Sequence, residues 1–217
     1  PVTPRTGLAV EVNALWYNAI CFALEMAQEA NEMAFVEFWQ PVIENIKVSF
    51  PATFWYKEKN YLYDYVNEGF SDKSVRPNQI LAVSLPYTPI HEDIQKGVLD
   101  RVQSELLTPR GLRTLSPKNP LYKSEYTGNQ TARDKAYHQG SVFPWLFGHF
   151  TDAWLRLYEK GGVQFIKNQY KYFEEIIIEH GVGTVSELYD GDPPHRPSGA
   201  ISQAWSVAEL LRANHVI

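Results

Sequence analysis

A single cysteine, Cys21, leaves this 217-residue chain without an internal disulfide to form. Its place in the apolar run NAICFALEM makes it a small core residue. Excess positive charge is also missing: 20 Lys and Arg stand against 25 Asp and Glu, a formal net charge of −5. Nucleic acid and anionic membrane are therefore poor partners. No apolar run approaches the roughly 18 residues of a spanning helix, and the opening PVTPRTG lacks the apolar centre of a signal peptide. A cytoplasmic protein is the expectation these absences leave. Several standard chemistries are missing too, since no CxxC, HExxH, GxSxG or phosphate-cradling glycine loop occurs. The six histidines are scattered, so neither a metal site nor a cofactor is expected.

What the chain does have is aromatic side chains, 14% of the total. Flat amphipathic rings suit a core, and they equally suit stacking on sugar faces. The length fits one domain or part of a larger one, with room for a real core. Apolar residues recur at three- and four-residue spacing, which predicts an all-α chain. Val12, Leu15, Trp16, Ala19 and Ala23 line up on one helix face, and Leu146, Phe150, Ala153, Trp154 and Leu157 on another. Ile166, Tyr170, Phe173 and Ile177 form a third set, and Ala204, Val207, Ala208 and Leu211 a fourth. A further helix is predicted near 89–107, capped by Thr88 with Pro89 in its first turn. Ser141 is placed to cap the helix whose early Pro144 does not break it. The pair Gly161–Gly162 separates two helices by almost nothing and predicts an antiparallel hairpin. KNYLYDYVN, with aromatics at alternate positions, predicts a strand or ribbon. The long connections 48–60, 108–136 and 181–198 carry Tyr, Trp, Arg and Asp in place of linker sequence, which favours a functional role. Helical hairpins elaborated on one side suggest an α/α toroid or a piece of one.

Carboxylates among aromatic and amide residues are the chemistry that remains. In SELYDGDPPHRPSGAISQAWS, residues 186–206, Glu187, Asp190 and Asp192 crowd a proline- and glycine-rich segment that runs into an apolar helix. Glycoside hydrolysis uses such a kit, one carboxylic acid to protonate the leaving oxygen and one carboxylate as base or nucleophile.

Five stretches in order resemble the glucosidase domain of glycogen debranching enzymes, the amylo-α-1,6-glucosidase type. They are TPRTGLAVEVNALWYNA, RPNQILAVSLP, LLTPRGLRTLSP, AYHQGSVFPWLFGHF and SELYDGDPPHRPSGAISQAWSVAELLR. Together they cover nearly the whole chain, although HQGSVFPW alone also resembles related α/α-toroid sugar enzymes. The resemblance implies a toroid of paired helices with minor β ribbon, long loops on one rim, and the active site at one end of the ring. It implies inverting hydrolysis of α-1,6-linked glucose at a glycogen or limit-dextrin branch point, with no cofactor and an α-glucan oligosaccharide as partner. Glu187 matches the family's catalytic base, the alternative being that it caps a turn. The family's general acid is an aspartate in a Trp-Met-Asp motif upstream of TPRTG, and that motif does not occur here. Residues 1–217 are therefore expected to form the C-terminal portion of the glucosidase domain, inactive alone, with an apolar edge that drives dimerisation or aggregation.

The other motif residues suit substrate binding. Glu11 and Asn13 precede Trp16, which either meets a sugar face or is core, and Glu11 is a fallback acid. Arg76, Asn78 and Gln79 form a donor cluster at a helix entrance, suited to glucose hydroxyls or to capping. Arg113 either contacts sugar or fixes a loop. His138 and Gln139, beside Tyr137, sit at the mouth of the 142–158 helix, and Trp145 offers a stacking platform while Trp154 reads as core. Gln203 and Trp205 trail the acidic loop and are expected to support it. Two other readings stay open: a related toroid glycosidase of another specificity, and a non-catalytic glucan-binding or scaffold domain.

Overall fold

The computed structural model describes residues 2–217. After a short strand β1 (Leu8–Ala9), helices α1 (Val10–Glu29) and α2 (Met33–Phe54) form a hairpin. The turn between them is tied by the Ala30 and Glu32 amides donating to Met26 and Ala27. Tyr17, Ile20, Leu24 and Ala27 pack there against Val36 and Ile43 as a small core of their own, with Cys21 partly buried beside it. The buried face of α1 is therefore not the predicted one. Val12, Leu15 and Trp16 are exposed, while Val10, Ala14 and Tyr17 point inward. This helix is apolar on both sides, so periodicity alone does not choose between them.

Residues 48–54, expected to be irregular, continue α2, and the hairpin of β2 (Trp55–Tyr56) and β3 (Tyr61–Leu62) follows directly. Strands β4 (Tyr65–Asn67) and β5 (Phe70–Ser71) then join β1 in a small antiparallel sheet, so KNYLYDYVN is a ribbon as expected. A 3₁₀ turn at Pro77–Ile80 leads into the single-turn α3 (Leu81–Ser84). Helix α4 (Glu92–Leu106) starts later than predicted, because the Thr88 hydroxyl donates to the Ala82 carbonyl and does not cap it.

The second sheet is built from pieces far apart in sequence. It contains β6 (Leu107–Thr108), β7 (Gly111–Arg113), β8 (Val142–Phe143), β9 (Leu188–Tyr189) and β10 (Pro197–Ser198), antiparallel throughout. Gly111, at φ +122°, lies so close to β8 that a Cβ there would sit 2.4 Å from the Phe143 carbonyl oxygen. Within the predicted irregular stretch 108–136 lies α5 (Gln130–Tyr137), N-capped by Asn129, whose side chain accepts the Ala132 amide at 3.0 Å.

Helix α6 (Leu146–Ile176) is two arms joined at Glu159, whose φ 45° and ψ −135° are not helical. Phe147 meets Phe173 and Trp154 stacks on Phe165 at 4.0 Å, so the arms run antiparallel. The predicted hairpin is present, with its break ahead of the glycine pair. Gly162 instead lets its backbone approach Trp154, whose indole donates to the Gly162 carbonyl at 3.1 Å. Ser141 does not cap α6, since its hydroxyl donates to Ala136 and the helix begins after Pro144. Helix α7 (Ala204–Val216) buries Ser206, Leu210 and Ala213, so its inward face is displaced from the predicted one, and Leu211 is exposed. The main core gathers α4, both arms of α6 and the five-stranded sheet around Leu99, Leu106, Leu112, Phe147, Phe150 and Leu188.

Candidate active site

A cavity of about 330 Å³ opens where the chain's N-terminal segment, the 3₁₀ turn, the end of α5 and the starts of α6 and α7 meet. Its walls include Arg5, Arg76, Asn78, Thr114, Tyr137, His138, Trp145 and Trp205. The two indoles lie 6.4 Å apart at its edge, and Trp205 is 52% exposed.

The cationic side of the cavity is built around Asp64, which is only 2% exposed. Arg5 donates to Asp64 Oδ2 at 2.5 Å and grips Glu11 with two bonds of 2.5 and 2.6 Å. Asn78 donates to Asp64 Oδ1 at 2.8 Å, and Arg76 Nε stands 3.8 Å from the same carboxylate. Burial penalises the Arg5 guanidinium, but Glu11 and Asp64 outweigh it and raise its pKa. Burial raises the Asp64 carboxyl, against the pull of Arg5, Asn78 and Arg76. The two shifts favour opposite states of the pair. Three donors converging on one carboxylate satisfy it only as an anion, so the pair is ionised at neutral pH. Arg76 in turn donates to the carbonyls of Thr114 and His138 at 3.1 and 2.5 Å and to the Gln139 side chain at 2.9 Å. His138 is pushed down from the ordinary histidine value, chiefly by burial and then by Arg76 and Arg5. Both effects favour the neutral ring, which donates one hydrogen bond and accepts one.

The acidic loop lies on the same rim. Asp190 accepts the Tyr126 amide at 2.7 Å, and Asp192 accepts the Tyr122 hydroxyl at 2.8 Å. Arg113 donates to the Gly191 carbonyl at 2.8 Å. These bonds tie 181–198 to 108–136, so both aspartates and Arg113 hold the loop in shape. Glu187, just ahead of β9, has both carboxylate oxygens occupied. Oε1 accepts the Tyr137 hydroxyl, and Oε2 accepts the Ala200 amide at 2.8 Å. It stands one hydrogen bond behind the cavity wall, on Tyr137. Among the described residues no carboxylate lines the cavity itself.

Of the residues singled out from sequence, Arg76, Asn78, Tyr137, His138, Trp145 and Trp205 line the cavity. Gln139 and Glu11 support it through Arg76 and Arg5, so Glu11 is spent on an ion pair and is not a free acid. Gln79, Asn13, Trp16 and Gln203 lie outside its walls. Gln79 is buried, accepting the Leu62 amide and donating to Arg76's carbonyl. Asn13 donates back to the Ala9 carbonyl at the start of its own helix, and Trp16 packs edge-on against Trp39 on the first hairpin. Gln203 sits at the entrance of α7, its amide on the Val185 carbonyl. Arg5 and Asp64 were not among the residues expected from sequence. Arg5 lies inside a quoted motif, and Asp64 is the one acid in an aromatic ribbon, a signal that could have found it.

The family model described as amylo-alpha-1,6-glucosidase matches residues 1–212. A glycogen debranching enzyme from Saccharomyces cerevisiae is 24% identical over 97% of this chain, which spans 17% of that relative's length. Among solved structures, neutral trehalase Nth1 from S. cerevisiae superposes with a TM-score of 0.71 at 12% identity, over 96% of this chain and 38% of that one. A GH63 mannosylglycerate hydrolase from Thermus thermophilus, in complex with glucose, gives 0.64 at 14% identity, over 94% and 44%. The fold is accordingly part of an α/α toroid of helical hairpins, with its long loops on one rim.

Proposed function

The chain belongs to the amylo-α-1,6-glucosidase family, and we propose on that premise that it contributes the base side of an inverting glycosidase acting on α-1,6-linked glucose at α-glucan branch points. What supports the reading is the position of Glu187, one hydrogen bond behind a cavity walled by Trp145 and Trp205 and edged by Arg76, Asn78 and His138. Its volume of about 330 Å³ falls at the small end of ligand pockets, about 300–1,000 Å³. Indoles suit the apolar faces of a sugar ring, and the polar groups suit its hydroxyls.

In this mechanism the Glu187 carboxylate takes a proton from a water. The water oxygen forms its bond to the anomeric carbon as the glycosidic C–O bond breaks on the opposite face, inverting the centre. The departing oxygen takes a proton from a carboxylic acid about 6.5–9.5 Å from the base. Asp64 and Glu11 are both committed to Arg5, and no described carboxylate lines the cavity. None of the described carboxylates is therefore free at the cavity to serve as that acid. Glucose release from a branched limit dextrin is expected only in a protein that also carries the Trp-Met-Asp segment to which the resemblance gives the acid.

α-Glucosyl fluoride isolates the base, because fluoride leaves with little protonation. Glu187→Gln is expected to lower its hydrolysis by at least about 10²-fold while sugar binding persists, and an unchanged rate ends the assignment. A second reading, a toroid glycosidase of other specificity, draws on the likeness in fold to a trehalase. Faster turnover of trehalose than of α-1,6-linked glucose selects it.

A further inference from the structure

A general base has to present a particular lone pair to its water, and a free glutamate side chain does not do so by itself. Two segments distant in sequence hold Glu187. From one side the Tyr137 hydroxyl, at the end of α5, donates to Oε1. From the other, the Ala200 amide donates to Oε2 at 2.8 Å, and the Glu187 amide returns a bond to the Ala200 carbonyl at 2.9 Å. Gly199 completes the holder. Its φ is +73°, and a Cβ there would lie 2.6 Å from Glu187 Oε2 and 2.9 Å from Glu187 Cβ, so no larger residue fits without displacing the carboxylate. The Tyr137 ring is fixed in turn by edge-on contacts with Phe143 at 5.1 Å and Tyr126 at 6.0 Å.

We infer that Tyr137 is a positioning residue which, with the Gly199–Ala200 turn, holds the Glu187 carboxylate in one orientation directly behind the cavity wall. This rests on the reading of Glu187 as the base. An ionised carboxylate has about four lone-pair sites. The phenol and the amide take one on each oxygen, which leaves the others for the attacking water. The clamp therefore selects an orientation without consuming the base. Burial and the Glu187 carboxylate together raise the pKa of Tyr137, so the phenol keeps its proton and stays a donor.

The test uses the full chain with α-glucosyl fluoride and four forms: wild type, Glu187→Gln, Tyr137→Phe and Gly199→Ala. Tyr137→Phe is expected to lower kcat by about 10- to 100-fold, the range that small misplacements of a catalytic group produce, with KM within about twofold of wild type. Gly199→Ala is expected to act in the same direction. If Glu187→Gln matches the wild type, the base assignment fails and takes the clamp with it. If Glu187→Gln loses turnover while Tyr137→Phe and Gly199→Ala keep the wild-type kcat, the clamp alone is overturned. A second readout needs no turnover. With ¹³Cζ-labelled tyrosine, and the Tyr137 signal assigned by its loss in Tyr137→Phe, Glu187→Gln is expected to move the Tyr137 ¹³Cζ signal at neutral pH, because the phenol then donates to a neutral amide and not to a carboxylate. An unmoved signal shows that the two groups do not touch and overturns the clamp.

Discussion

Arg5 shows how much one side chain organises. It bridges Glu11 and Asp64, and Asp64 is too deeply buried for water to replace it. Arg5→Ala leaves that carboxylate without its main partner, and the expected cost is about 3 kcal/mol, read as a lower midpoint in urea unfolding. The histidines make a second prediction at this scale. His138, His149 and His195 are all depressed below 6.5, first of all by burial. A histidine lowered in the folded state takes up its proton later there than in the unfolded chain. Its contribution is complete above about pH 6.5 and is lost as pH falls through the lowered folded values. The thermal midpoint is therefore expected to drop between about pH 7.5 and about pH 5.5. His195 sits at φ 57° and bonds the Asp190 carbonyl through Nδ1. Asparagine tolerates that conformation and keeps a donor, so His195→Asn is expected to make the drop smaller. An equal drop in this variant removes His195 from the account.

Among the elements, the joint in α6 carries a backbone conformation that a glutamate rarely adopts. Glu159→Gly is expected to stabilise the chain by about 1 kcal/mol, because glycine reaches the same angles without the Cβ clash. The opposite result is expected at the β6–β7 turn, where the Gly111 backbone runs against Phe143. Gly111→Ala should cost about 2 kcal/mol or more and loosen the sheet that carries Glu187 into place. Denaturant midpoints of the two variants check both signs. The hairpin within α6 was legible from its apolar spacing and paired glycines. Its joint was not, because Gly162 is used for close approach to Trp154 and not for the turn.

For the whole molecule, the outer face of the first hairpin stands out. Trp16, Phe35 and Phe38 are exposed there, Phe38 at 69%, and all three pack against Trp39, Trp16 and Phe38 edge-on. So much aromatic surface on one side favours association. Sedimentation velocity is expected to show concentration-dependent self-association of the chain, weakened in the Trp16→Glu, Phe38→Glu double variant. A strictly monomeric chain at all concentrations refutes this. Among the described residues no helix is long and apolar enough to cross a membrane, so a bilayer-spanning helix does not account for that face.

By itself the sequence determined the helical class and the ribbon at KNYLYDYVN, and it offered Glu187, Asp190 and Asp192 as candidate carboxylates. Three- and four-residue spacing, turn residues and motif strings are local, and each was readable in place. Only the tertiary structure decided which face of α1 turns inward, because both of its faces are apolar and the choice falls to what packs against it. It also decided that Arg5 reaches Asp64 across 59 residues and Tyr137 reaches Glu187 across 50. Such pairs leave no period in the chain. They form because separately folded elements are pressed together, and a buried charge or hydroxyl must then find its partner among whatever the packing has brought within reach.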